Sequence, residues 1–374
     1  MALELLNIYN ARNLKEYTLS PHSSYNILYG SNGVGKTTIL ESIYLLLRSK
    51  TFRSSKYKSF INHNSNTCTI FSRFSDSEKD LISSSFTLGI SRSKDSLNPV
   101  LHLNSQKVNS LSSITNLAIL GLITPESFTL LDAGPSIRRK FIDWGVFHVE
   151  PGFLSEWKAY KKILLNRNTL LKNLSKQYKS LHSIPDNLRD NIECWNPQFI
   201  SLNNKLHELR SKQTQNISKT FSKYLSIFST TLSENIKLQY YQGWSNEISY
   251  DEYLLKKLNE DFLAGYTRYG THRADIRIIL NKHPAKDILS RGQKKIVVIC
   301  LILAQFSYLI NIVNTTDHNL LLLDDIDSEL DMTNLQLLFQ ILENLGTQVF
   351  VTTTNKEKYS FLSEIDSQLF HVEQ

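Results

Sequence analysis

Apolar positions along the chain change their period several times, and each change marks a different kind of element. From Leu3 to Gly30 they alternate or run in short blocks, over Leu3 to Tyr9, Lys15 to Leu19 and Tyr25 to Tyr29, which predicts strands. Thr37 to about Arg48 reads as an amphipathic helix. After the polar, basic stretch Thr51 to Lys58, strand-like runs return at Thr67 to Phe74, Ser84 to Ile90 and Val100 to Leu103, which predict an antiparallel sheet. Near Pro125 the pattern lengthens. Trp157, Tyr160, Leu164, Leu171, Leu174, Tyr178 and Leu181 recur at helical spacings, with Arg167 breaking the series, and predict a helix with one apolar seam. A turn-like stretch, His182 to Pro197, leads to a second seam at Phe199, Leu202, Leu206, Leu209, Ile217, Phe221 and Tyr224, so that a helical hairpin burying seam on seam is expected. Ile236 to Tyr241 reads as a strand and Asp251 to Leu263 as a short helix, and sheet-forming sequence resumes near Ala274. The expected organisation is an α/β lobe made of residues 1–125 and 265–374, interrupted by a mostly helical lobe of residues 126–264.

A chain of 374 residues can bury a full core. Cys68, Cys194 and Cys300 lie far apart with no C-x-x-C pair, which indicates neither a disulfide framework nor a zinc site and fits a reducing cytosol. Met1 to Tyr17 lacks the basic start and apolar stretch of a signal peptide. Ile296 to Val313 approaches membrane-spanning length, but Gln305, Ser307, Tyr308 and Asn311 interrupt it and favour a buried helix. The net charge of +7 is local: between Gly134 and Ser180, ten basic residues (Arg138, Arg139, Lys140, Lys158, Lys161, Lys162, Arg167, Lys172, Lys176 and Lys179) face only Asp143, Glu150 and Glu156. Such a block suits a polyanionic partner, with a solvated helix face as the bland alternative.

The candidate chemistry begins at Gly30, Ser31, Asn32, Gly33, Val34, Gly35, Lys36, Thr37 and Thr38, which fit G-x-x-x-x-G-K-[ST] between a predicted strand and a predicted helix. Glycines at this point let backbone N–H groups turn toward phosphates at a helix N-terminus, Lys36 adds a point charge, and the Thr37 hydroxyl can complete Mg²⁺ coordination. The expected ligand is ATP or GTP. Leu320 to Leu323 then deliver Asp324 and Asp325 from an apolar strand, the first suited to Mg²⁺ and the second to polarising the attacking water. Between the phosphate loop and this strand lies Leu289-Ser290-Arg291-Gly292-Gln293, and Ser328-Glu329-Leu330-Asp331 follows Asp325.

The pentapeptide resembles the signature of ABC-type ATPases, and the order and spacing of all four motifs suit that class. Nearly the whole chain is similar to the RecF family, bacterial recombination-mediator ATPases related to the SMC heads. The likeness extends to Arg48 through Arg53, to Gly134-Pro135-Ser136-Ile137-Arg138-Arg139 and onward to Trp144, and to Gly265 through Asp275, where Thr271 stands in place of the family's proline. The resemblance implies an ABC/SMC-like P-loop ATPase head with an inserted helical lobe, and an ATP-bound homodimer in which Ser290, Gly292 and Gln293 reach the γ-phosphate held by the partner. It further implies a slow, DNA-stimulated ATPase that clamps DNA without sequence preference, with RecO- and RecR-like mediators as partners, in the cytoplasm and away from membranes. Arg12 and Arg53 are weaker candidates for phosphate contact. The basic block places candidate DNA contacts at Lys158, Lys161 and Lys162, and at Arg138 and Arg139, whose place at the junction between lobes equally suits structural ion pairs. Against this stand two other classes, a transporter ATPase subunit and a nucleotide-sensing module without useful hydrolysis. The long helical insertion, Asp325 in place of Glu, and hydroxyls rather than a switch histidine at Val351 to Asn355 all disfavour the transporter.

Overall fold

Two sheets of opposite character build the nucleotide-site half of the protein, and the burial along each strand follows its place. The computed structural model describes residues 2–373 except 55, 76–84, 97, 109–113, 115–116, 186–187, 189, 191, 193, 314–318 and 363–366. In chain order, β1 (Ala2–Ala11) and β2 (Leu14–Leu19) form a hairpin, and β3 (Tyr25–Tyr29) runs through the glycine-rich loop into α1 (Lys36–Arg48). Next come β4 (Thr67–Ser75), β5 (Phe86–Ser93), β6 (Val100–Leu103), β7 (Gln106–Val108) and β8 (Ile119–Ile123). The long helices α2 (Pro135–Val149), α3 (Phe153–Gln177) and α4 (Asn196–Phe228) follow, then β9 (Ile236–Tyr241), β10 (Asp275–Leu280) and β11 (His283–Pro284). The chain closes with α5 (Arg291–Ile312), β12 (Asn319–Leu323), α6 (Met332–Glu343), β13 (Gln348–Thr353) and β14 (Ser367–His371).

The chain divides into two units, Met1–Phe128 with Arg291–Gln374, and Thr129–Ser290. In the first, β2-β1-β4-β5-β6-β7 make an antiparallel sheet whose strands alternate between core and solvent, as β4 does residue by residue. The second sheet, β14-β3-β13-β12-β8, is parallel and its middle strand is buried throughout: all six residues of β13 are shielded from solvent, Gln348, Thr352 and Thr353 among them. α1 packs into the core shared by the two sheets through Ile39, Leu40, Ile43 and Leu46. The apolar α5 has the length and mean hydropathy, 2.0, of a membrane span, yet Val297 to Leu301 and Leu303 to Ser307 are buried within the protein, Gln305 among them.

In the second unit the expected seam-on-seam pairing holds over only part of α3. Tyr160 stacks on Phe199 of α4 with centroids 5.1 Å apart and joins Ile163, Leu206 and Leu209, whereas Leu171 and Leu174 pack with Leu181, Ile184, Ile192, Leu258 and Phe262. Arg167, the break in the seam, is fully buried and bonds Asp261 at 2.8 Å and the Thr267 hydroxyl. The expected helix Asp251 to Leu263 is two, Tyr250–Lys256 and Leu258–Ala264, because Lys257 leaves helical geometry with φ −97 and ψ 3. Residues 265–290 do not return to the nucleotide sheet. β10 pairs antiparallel with β9 along its whole length, so this stretch completes the second unit instead. The turn at Thr271, where the resemblance led to an expected proline, is fixed by hydrogen bonds: the Thr271 N–H donates to Asn203 Oδ1 at 2.7 Å, and its hydroxyl and carbonyl accept from Arg210 at 2.8 and 2.7 Å. Proline has no N–H to make the first of these bonds.

Candidate nucleotide site

Strand order brings the candidate residues together. β13 lies between β3 and β12, so the glycine-rich loop, the end of β13 and Asp324 all emerge at the carboxyl edge of one parallel sheet, where α/β folds place ligands. The loop bends through left-handed backbone at Gly30 (φ 152) and Gly35 (φ 117). A Cβ on Gly30 would stand 2.5 Å from the Val372 carbonyl oxygen, and one on Gly35 would stand 2.7 Å from Leu14. Gly35 thus lets the β1–β2 hairpin press on the loop, and Asn13 completes the latch by donating from Nδ2 to the Gly33 carbonyl at 3.0 Å. Ser31, Asn32 and Gly33 are exposed, and Val34 packs partly into the core. Lys36 is buried, its ammonium donating to the Gly30 and Ser31 carbonyls at 2.9 Å each.

The Thr37 hydroxyl donates to Asp324 Oδ1 at 2.9 Å across 287 positions of sequence. Thr38 lies behind it, buried, with Asn13 Oδ1 at 3.4 Å. Asp324 is 7 % exposed, and burial pushes its carboxyl above the ordinary range against the hydroxyl bonds from Thr352 and Thr37. Asp325 is also raised, chiefly by burial, with Lys36 opposing and Asp327 reinforcing. Its backbone is left-handed at φ 49, a conformation costly for a residue with a side chain. Arg12 and Arg53 gather on Glu41 of α1: Arg12 forms an ion pair at 2.6 Å and the Arg53 N–H donates at 3.3 Å. Burial raises the Glu41 carboxyl and lowers the Arg12 guanidinium, each opposed by the other's charge. Both arginines act electrostatically on Asp324, which places them beside the site.

Thr352 is the residue that sequence reasoning missed. It is fully buried, donates to Asp324 Oδ1 at 2.8 Å and accepts from the Asp325 N–H at 2.9 Å. The hydroxyl run at the end of β13 was the available signal. Ser290, Gly292 and Gln293 sit at the start of α5, where Ser290 and Gly292 are exposed and a side chain at Gly292 would meet nothing within 4 Å. Among the described residues no cluster of three or more His, Cys, Asp or Glu could hold a metal alone. One hydroxyl and one carboxylate suit Mg²⁺ as it accompanies nucleotides, with phosphates and water completing its shell.

The basic candidates separate into two groups. Lys158, Lys161 and Lys162 are exposed on α3, Lys161 lying 3.7 Å over the Trp157 ring. Arg138 and Arg139 do not join them. Arg138 makes a two-pronged ion pair with Asp275 at 2.8 and 2.9 Å and also donates to the Ala133 carbonyl, while Arg139 donates to the Ala274 carbonyl at 2.7 Å. Their donors serve the packing of α2 on β10, the structural alternative to their expected place as DNA contacts.

The family described as RecF/RecN/SMC N terminal domain matches residues 2–374. The chain is 36 % identical to the DNA replication and repair protein RecF of Pseudomonas syringae pv. tomato over all of its own length and 97 % of that protein, and 33 % identical to RecF of Shewanella frigidimarina over 98 % of that protein. Among solved structures, the recombination mediator RecF with ATP, of the RecFOR pathway, superposes with a TM-score of 0.76 at 26 % identity, covering 95 % of this chain and 92 % of that one. An Smc head from Pyrococcus furiosus, 16 % identical and covering 96 % of this chain and 91 % of that one, shares the fold with a TM-score of 0.54. With the phosphate loop and Asp324 at one sheet edge and relatives matching end to end, the chain belongs to the RecF family of SMC-like P-loop ATPases.

Proposed function

We propose that this protein is an ATP-dependent DNA-binding ATPase of DNA replication and recombinational repair, acting in the cytoplasm. Its ATP-bound homodimer clamps DNA, hydrolyses ATP slowly with DNA stimulation, and supports recombinase loading at gaps and the SOS response with RecO- and RecR-like partners. The observation that carries this reading is the approach of Thr37 to Asp324, which joins the phosphate loop to the acidic strand end. Backbone N–H groups from Gly33 to Thr38 would surround the β- and γ-phosphates, with Lys36 as the cation among them. Thr37 and Asp324 would hold Mg²⁺, which when bound neutralises charge on those phosphates. Asp325 would orient the attacking water and accept its proton. Ser290, Gly292 and Gln293, exposed or half-buried at a helix start, would complete the site of a second copy. Lys158, Lys161 and Lys162 would contact DNA phosphates, a sequence-independent and salt-sensitive interaction.

Sedimentation in ATP, ADP and no nucleotide, with and without duplex DNA, tests the reading. The wild-type chain should dimerise only in ATP and carry DNA with it. Lys36→Met should bind ATP weakly and stay monomeric, whereas Ser290→Arg should bind ATP as a monomer. Normal dimerisation of Ser290→Arg in ATP would refute the shared site.

A further inference from the structure

The two acidic residues of the site stand consecutively on the chain, yet they have different tasks and must be held in one fixed relation. Asp324 is secured at its backbone by an N–H bond to the Ile123 carbonyl of β8 at 2.9 Å, and at Oδ1 by the Thr37 hydroxyl. Asp325 is turned into left-handed backbone (φ 49, ψ 34) immediately afterwards, so its carboxylate leaves the direction that a continuing strand would give it. One side chain touches both. Register explains why: Val351 pairs with Leu323, which brings Thr352 level with Asp324, and Thr352 pairs on its other side with Leu28, two residues before the phosphate loop. A hydroxyl has one proton to give and lone pairs to receive. The proton goes to Asp324 Oδ1 at 2.8 Å, since Asp325 Oδ1 is at 3.4 Å, and a lone pair receives the Asp325 N–H at 2.9 Å. Thr353, the next residue, donates to Asp327 Oδ2 at 3.0 Å, so consecutive hydroxyls of β13 bond two carboxylates and the backbone N–H of the acid between them.

We propose that Thr352 is a positioning residue for ATP hydrolysis, its single hydroxyl setting the magnesium-side carboxylate of Asp324 and the water-side carboxylate of Asp325 in one geometry. The inference rests on the ATPase reading given above. It assigns no contact with substrate to Thr352. Valine matches threonine in shape but can neither donate nor accept, and serine keeps the hydroxyl while losing the methyl.

Full-length Thr352→Val and Thr352→Ser proteins, with wild type, would be compared by equilibrium binding of Mg-ATP, by single-turnover phosphate release and by thermal unfolding. Thr352→Val should keep its ATP affinity within about threefold while its single-turnover rate falls about 10- to 100-fold, the range seen when a supporting partner of a site ligand is removed. Thr352→Ser should recover most of the rate. Thr352→Ala, which introduces no bulk, gives the same comparison if valine prevents folding. A valine protein with the wild-type rate, or a serine protein as slow as valine, would overturn the proposal while leaving the ATPase reading intact. A loss of ATP affinity and thermal stability in parallel with the rate would likewise overturn it, marking Thr352 as structural. Absence of phosphate release from the wild-type chain would overturn both.

Discussion

The carboxylates at the acidic strand end are held differently from the buried ion pairs of the helical unit. In the helical unit charge is matched locally: Arg138 with Asp275, Arg167 with Asp261 and Arg210 with Asp143, the first and last through two bonds each. At the nucleotide site the Asp324 carboxylate accepts from two hydroxyls rather than from a cation, the Asp325 N–H donates to one of them, and Lys36 rests on backbone carbonyls. Ion pairs that satisfy each other define an architecture. Charges gathered at one sheet edge without mutual neutralisation are held in readiness for a charged ligand, at some expense to stability.

The largest effect expected from this contrast is at Arg167. Asp261→Ala would leave a fully buried guanidinium without its carboxylate, and should lower the unfolding free energy by about 3–5 kcal/mol in denaturant titrations. A loss near zero would remove that contrast. His272 gives the next test. It accepts from the Tyr160 hydroxyl at 2.9 Å and donates to the Thr267 carbonyl at 3.0 Å, and burial pushes it down to about 4. A base whose folded pKa is depressed contributes stability above its ordinary value of 6.5 and loses that stability as pH falls toward 4. Unfolding measured across this window should fall by on the order of 2 kcal/mol more in wild type than in His272→Gln.

A smaller change of opposite sign is expected at Asp324. Its pKa is raised by burial, so the stability it contributes is present at low pH and lost as pH rises through the folded value. At neutral pH Asp324→Asn should therefore stabilise the fold, by on the order of 1 kcal/mol, with the gain shrinking on acidification. A destabilised variant would mean that the site is not under charge strain. The smallest effect belongs to the exposed lysines. Replacing Lys158, Lys161 and Lys162 with Ala should shift stability by no more than about 0.5 kcal/mol, yet weaken DNA binding and flatten the slope of log affinity against log salt by about one for each phosphate no longer neutralised.

The parts readable in the sequence were those where one residue type has one common use. A glycine-rich loop between strand and helix, and four leucines ending in two acids, each carry their chemistry locally, and both landed where expected. β8 was overlooked, since Ile119–Ile123 is four apolar residues around a glycine with no alternation, a pattern that does not separate a buried parallel strand from other buried chain. The partner of β10 could not be read either, because an alternating strand does not say which sheet will accept it. Arg138 and Arg167 were counted in the basic block, and their partners could not be read because the carboxylates lie 137 and 94 positions away. Thr352 was visible only as a polar end to a strand. Its importance depends on the register that sets it beside Asp324, and register is a property of paired strands.

The place of β3 between β14 and β13 also has a consequence for how the protein is made. Both of its neighbours, β13 and β14, come from the far end of the chain, roughly 320 residues and on the order of half a minute of translation later. The strand that carries the phosphate loop therefore leaves the ribosome with neither edge covered, and β1 waits equally long for Gln348, whose side chain bonds its Leu3 backbone. The antiparallel sheet and the helical unit can assemble meanwhile, but the ATP site closes last. A truncated or slowly synthesised chain would thus expose two apolar strand edges, which makes the nascent protein a natural client for chaperones that bind such edges.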